Sequence, residues 1–97
     1  MKIKRIEHVA VVMDRLDPGV RMLEDLFGLQ LAHAEETPIA KLAMFPVGES
    51  SVELVQPKSP DSRGGRWLAR NGTSLYHLCF EVEDIAAALD ELRARGV

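Results

Sequence analysis

A mixed α+β fold built from a repeated strand-helix unit is what this sequence predicts, and three observations predict it. The phrase RIEHVAVVMDRL at residues 5–16 returns as SLYHLCFEVEDI at residues 74–85: one histidine heading an apolar run, then an acidic residue just before a helical pattern. Within each copy the apolar period changes from that of a strand to the three-and-four spacing of a helix. Between the copies lie two β-rich stretches joined by a short turn, with no second helix-length repeat.

Superimposing His8 on His77 fixes an offset of 69 residues. At that offset Val9 meets Leu78, Ala10 meets Cys79, Val11 meets Phe80, Leu16 meets Ile85, Val20 meets Leu89 and Leu23 meets Leu92. Internal repetition of this kind dictates architecture, so each copy is taken as one structural unit. The chain then forms one domain over residues 1–97, with unit one at about 1–73 and a partial unit two at about 74–97.

Residues 2–13, rich in Ile and Val, form the first predicted strand. Asp17 is the predicted N-cap of the following helix, with Pro18 in its first turn, Val20, Leu23 and Phe27 on one face, and Gly28 as terminator. A short strand at residues 29–34 follows. Residues 39–46 and 51–56 are two strands joined by VGES, a hairpin signal. Residues 57–63 (PKSPDSR) read as a loop and residues 66–70 as a short helix ending near Asn71-Gly72. Unit two repeats the opening grammar: strand 75–82, cap at Asp84, helix face at Ile85, Leu89 and Leu92, terminator Gly96. It stops after its helix, without counterparts for residues 39–56, so a fragment, a truncated gene product or completion by another chain is expected.

Composition narrows the function classes. The net charge of −3, only 5% aromatic residues and no basic block argue against a nucleic-acid surface. No apolar run approaches the roughly 20 residues needed to span a bilayer, and no secretory signal pattern opens the chain, so a cytoplasmic protein without membrane contact is expected. Cys79, the single cysteine, lies in an apolar run and is expected to act as a small buried hydrophobe.

Two histidines at matched positions of matched strands should meet near the pseudo-two-fold axis relating the units. Glu53, in SVELVQP, is an acid inside an apolar strand, and a carboxylate there needs compensation. Strand histidines commonly have structural roles, and the repetition sets ligation beside that reading as an equal alternative. Two imidazoles and one carboxylate suit a divalent cation, with positions left for water or substrate. His33, in LAHAEE, reads as a surface residue, and Arg63, Arg66 and Arg70 as either solvated charge or an anion-binding group. Gly64-Gly65 lacks the pattern of a phosphate loop, and no nucleophile triad is present.

The stretches IEHVAVVMDRLDPGVRMLEDLFGLQL, FPVGESSVELVQPKSPDS and LYHLCFEVEDIAAALDELRARGV together resemble the vicinal oxygen chelate (glyoxalase/bleomycin resistance/dioxygenase) superfamily, and within it methylmalonyl-CoA epimerases. The resemblance implies paired βαβββ units forming a curved, glyoxalase-like mixed sheet, here with the second unit truncated after its helix. It implies His8, Glu53 and His77 as ligands of a divalent metal, cobalt first, with nickel, zinc, manganese or iron as alternatives. It places the fourth ligand, a glutamate also thought to move protons, near position 122, past Val97, and puts Lys41 where some epimerases carry a second acid/base glutamate. No catalytic residue is therefore assigned within the chain. The implied activity is epimerisation of methylmalonyl-CoA, an acyl-CoA, by proton abstraction through a metal-stabilised enolate; a homodimer is expected on separate grounds, because two chains could supply each other the strands unit two lacks. A glyoxalase I-like lyase, a dioxygenase and a non-enzymatic small-molecule binder are the alternatives.

Overall fold

The computed structural model describes all residues, 1–97. Its elements run β1 (Ile3–Val12), α1 (Leu16–Asp25), β2 (His33–Glu36), β3 (Ala40–Val47), β4 (Ser50–Pro57), α2 (Arg63–Asn71), β5 (Ser74–Val82) and α3 (Ile85–Ala94). The five strands form one mixed sheet in the order β2-β3-β4-β1-β5. β2, β3 and β4 form an antiparallel meander, β4 runs parallel to β1, and β5 runs antiparallel to β1. The two strands that open the repeated phrase are thus neighbours.

The sheet has two unlike faces because strand residues alternate. On one, Met13, Ala43, Phe45 and Leu54 form a buried cluster against which Leu16, Val20 and Leu23 of α1 pack. Phe45 and Val12 are fully enclosed. On the other, Ala10, Ala40 and Val55 are buried, with Leu42 and Tyr76 beside them. β1 contributes to both faces and lies between β4, the central strand, and β5 at the edge.

Several boundaries differ from those predicted, each for a physical reason. α1 begins at Leu16 rather than after an Asp17 cap: Arg15 holds the cap position without a side-chain bond, and the free Leu16 amide donates to Gln56 Oε1 at 2.8 Å. The cap comes from a residue distant in sequence, on β4, which local patterning cannot show. β2 lies at His33–Glu36 instead of residues 29–34, because Leu29 packs on the core while the ladder forms opposite residues 41–44 of β3. α2 starts three residues early, at Arg63. Ser62 caps it by accepting from the Gly65 amide at 3.0 Å, and Gly65 is required there because a Cβ would lie 2.0 Å from the Ser59 carbonyl oxygen. Cys79 is half-buried, not enclosed.

The repeat is faithful at the C-terminal ends of α1 and α3. Gly28 and Gly96 both adopt positive φ, 67° and 94°, the left-handed conformation that closes a helix and favours glycine. Asp84 caps α3 as expected, accepting from the Ala87 amide at 3.1 Å.

Candidate metal centre

Ala10 lies opposite Glu53 in the parallel ladder and opposite His77 in the antiparallel one. Cross-strand partners share a face, so Glu53, Ala10 and His77 form a row across three strands. His8 precedes Ala10 by two residues and shares that face. Ala10 is fully buried and offers only a methyl group between the two flanking side chains.

The three donors therefore converge. His8 Nε2 lies 3.1 Å from His77 Nε2 and 3.9 Å from Glu53 Oε1, and all three atoms lie within 4.8 Å of one another. The imidazole centroids are 5.2 Å apart in an edge arrangement. Bonds of about 2.0–2.2 Å from nitrogen or oxygen to a divalent cation put neighbouring ligands roughly 3.0–3.5 Å apart. The His8–His77 spacing meets this and the His8–Glu53 spacing needs only a small contraction. Two neutral nitrogens and one carboxylate make a borderline donor set suited to first-row divalent metals.

Two β-bulges aim the imidazoles. In the β1–β5 register Ile6 pairs with Phe80 and His8 with Cys79, leaving Glu7 as the extra residue; Ala10 pairs with His77 and Val11 with Leu75, leaving Tyr76 extra. Glu7 and Tyr76 are equivalents in the repeat, each just before a histidine. A bulge breaks strict alternation and lets consecutive side chains share a side. Hence Glu7 Oε2 reaches His8 Nδ1 at 2.6 Å, and the Tyr76 ring lies 5.1 Å from that of His77. A proton on Nδ1, donated to Glu7, leaves Nε2 of His8 as the electron-pair donor facing His77 and Glu53. Glu7, Ala10 and Tyr76 escaped sequence reasoning. The alignment of Glu7 with Tyr76 was visible, but a bulge has no signature without its partner strand.

Other sequence candidates lie elsewhere. His33 is an exposed residue of β2, 3.1 Å from Glu35. Lys41 pairs in register with Gln56, while Leu42 and Met44 share the face of Val55 and Glu53. Lys41 thus points to the other side of β3, where its exposed ammonium lies 3.8 Å from Glu36. Arg63, Arg66 and Arg70 line a cavity of about 390 Å³ with Trp67, Tyr76 and His77.

A five-stranded sheet in which three adjacent strands, β4, β1 and β5, carry a carboxylate and two imidazoles on one face defines an α+β domain furnished for chelation. The chain matches the Glyoxalase/Bleomycin resistance protein/Dioxygenase superfamily over residues 7–97 and belongs to that family. It is 27% identical over 99 residues to the mitochondrial methylmalonyl-CoA epimerase of Mus musculus, covering 99% of this chain and 56% of that protein. It is 27% identical over 97 residues to the ethylmalonyl-CoA/methylmalonyl-CoA epimerase of Cereibacter sphaeroides, covering 97% of this chain and 72% of the relative. Among solved structures, a single-residue variant of Streptomyces coelicolor methylmalonyl-CoA epimerase, in complex with 2-nitronate-propionyl-CoA, superimposes with a TM-score of 0.92 at 30% identity, over 99% of this chain and 72% of that one. The chain therefore spans little more than half the length of its mouse relative, and its α+β architecture is that of the epimerase structures. No helix is long and apolar enough to cross a membrane.

Proposed function

We propose that this chain belongs to a metal-dependent epimerase that interconverts the stereoisomers of methylmalonyl-CoA. The observation that carries the reading is the convergence of His8, Glu53 and His77 on one sheet face, in a chain similar to epimerases of that substrate. His8 and His77 would hold the cation through Nε2 and Glu53 through Oε1, with cobalt the first choice and nickel, zinc, manganese or iron acceptable to the same donors. Bound there, a divalent cation supplies Lewis-acid stabilisation for negative charge developing on substrate oxygens.

The remaining work falls to the protein. Glu7 keeps the Nδ1 proton of His8 in place, fixing the ring and its tautomer. Buried Ala10 keeps the floor between Glu53 and His77 low, leaving room above it. The β3 residues on the ligand face, Leu42 and Met44, bear no proton-transfer group, so apart from the ligand Glu53 the carboxylate beside the cluster is Glu7. The reading further includes a single domain over residues 1–97, a cytoplasmic setting and a homodimer. β5 supports the dimer, since it is bonded to β1 alone and exposes Leu75, Leu78 and Phe80.

The test is exchange of the substrate α-proton in deuterium oxide, with cobalt-loaded protein and methylmalonyl-CoA, followed by mass spectrometry. Deuterium incorporation abolished by His77→Ala is expected. Absence of exchange alongside turnover of the glutathione hemithioacetal of methylglyoxal would replace the epimerase with a lyase.

A further inference from the structure

The largest cavity adjoins the metal cluster without belonging to it. We propose that the arginine face of α2, closed by Trp67 and Tyr76, binds the phosphate groups of a coenzyme A thioester. The identity of the thioester rests on the epimerase reading; the phosphate site stands on its own observations.

The first is unsatisfied charge. Arg63, Arg66 and Arg70 recur at spacings of three and four, so α2 presents them on one side, and they line the cavity together. None faces a carboxylate; Arg66 donates to the Asp61 carbonyl oxygen. Lys4, Arg5, Lys58 and Arg95, by contrast, each lie against a glutamate. No acidic residue lines the cavity.

The second is where those charges stand. Arg63 and Arg66 occupy the beginning of α2, and its first turn has no acidic residue. A helix start carries partial positive charge, so cations there are unfavourable. An anion over this end would relieve both the helix dipole and the guanidinium repulsion. Three guanidiniums exceed what one carboxylate can pair. They match a ligand with several negative charges, and the planar fork of arginine suits phosphate oxygens.

The third is continuity with the cluster. Ring contacts lead from His8 to His77 at 5.2 Å, from His77 to Tyr76 at 5.1 Å and from Tyr76 to Trp67 at 6.0 Å. His77 is both a candidate ligand and a wall of the cavity. A thioester reaching the cluster would leave its pantetheine arm along Tyr76 and its phosphates near the arginines. Trp67, 38% exposed and tied to Ser74 Oγ by its ring N–H at 3.1 Å, offers an aromatic surface for stacking. The volume, about 390 Å³, lies within the roughly 300–1,000 Å³ range of small-molecule sites.

Trp67 is the sole tryptophan, so its fluorescence reports on the cavity without catalysis or metal. The protein is titrated with coenzyme A, 3′,5′-ADP, inorganic pyrophosphate, pantetheine and methylmalonate. Coenzyme A and 3′,5′-ADP are expected to change the emission saturably, with pantetheine at least about tenfold weaker, and added salt should erode the difference. A variant combining Arg63→Ala, Arg66→Ala and Arg70→Ala should lose at least about tenfold in coenzyme A affinity and nothing toward pantetheine. Its fold is checked by circular dichroism, and Arg70→Glu provides a milder second variant expected to weaken coenzyme A alone. Equal binding of coenzyme A and pantetheine, tighter binding of methylmalonate than of 3′,5′-ADP, or binding unaffected by both variants would overturn the proposal. Arginine-dependent binding of coenzyme A without α-proton exchange keeps the phosphate site and removes the epimerase. Exchange with equal KM for the coenzyme A and pantetheine thioesters does the reverse.

Discussion

β1 and β5 are one phrase in two surroundings. β1 is bonded to β4 on one edge and β5 on the other, whereas β5 is bonded to β1 alone. Ala10 and Val12 of β1 are fully buried; their counterparts Cys79 and Glu81 are half-buried. Leu78 and Phe80, equivalents of half-buried Val9 and Val11, are 48% and 50% exposed. The helices differ in the same way: Leu16, Val20 and Leu23 of α1 pack on the core, while Ile85 and Leu89 of α3 are 66% and 43% exposed. The same pattern makes the same local structure twice, and its neighbours decide whether that structure is core or surface.

The comparison is broken most forcefully in the core. Phe45→Ala removes a fully enclosed ring and should cost about 3–5 kcal/mol. Phe80→Ala, on half-exposed β5, should cost less than about 1.5 kcal/mol by the area it buries. Urea denaturation of the two variants checks this, and equal losses would refute the contrast between the units.

The candidate metal centre draws one imidazole from each copy of the phrase, and the two are oriented differently. His8→Ala or His77→Ala should weaken cobalt binding at least about a hundredfold, roughly 2.7 kcal/mol, by calorimetric titration. Glu7→Gln, which removes the carboxylate beside His8, should cost about 10–100-fold. Tyr76→Phe keeps the ring beside His77 and should change little. If Tyr76→Phe weakened the metal more than Glu7→Gln, the roles given to the two bulged residues would be reversed.

Helix capping sharpens the contrast at a smaller scale. Asp84 makes a side-chain cap, so Asp84→Ala should cost about 1 kcal/mol. Asp17 lies within the first turn of α1 without capping it, and Asp17→Ala should cost only about 0.3–1 kcal/mol through the helix dipole. Thermal unfolding of both variants ranks them.

The smallest effect concerns pH. Hydrogen bonds from Arg5 and then Lys4, across the β1–β5 ladder, hold the Glu81 carboxyl below its ordinary value of 4.5. Lys58 does the same to Glu36. A carboxyl depressed in the fold contributes stability that is full above its unfolded value and is lost as pH falls through the folded one. Stability should therefore decline below about pH 4.5, modestly because these pairs are exposed. Glu81→Gln should flatten that decline in urea midpoints measured across pH.

Much of this was legible in the sequence. The repeat located both histidines, and alternation distinguished Glu53 from Leu54. The VGES turn between two strand-like stretches gave the β3–β4 hairpin, and Asp84 and Gly96 framed α3. What escaped depended on distant partners. Gln56 supplies the α1 cap from another strand. Core packing of Leu29 moves β2 along the chain. The resemblance aligned Lys41 with an acid/base position of some epimerases, and register turns its side chain away from the ligand face. Two consecutive glycines disguised the start of α2, although Ser62 stood ready as its cap.

Residue type and spacing alone determined the elements, their repetition and the chemistry of the donors, because these follow from local backbone preference and from side-chain identity. Tertiary structure decided which strands are neighbours, and so which side chains meet. The register around Ala10 brings Glu53 and His77 to one row, and bulges at Glu7 and Tyr76 turn the imidazoles together. The packing of α2 beside β5 encloses a cavity between three arginines and two aromatic rings. Pairing register is a property of two strands at once, and one-dimensional patterning cannot specify it.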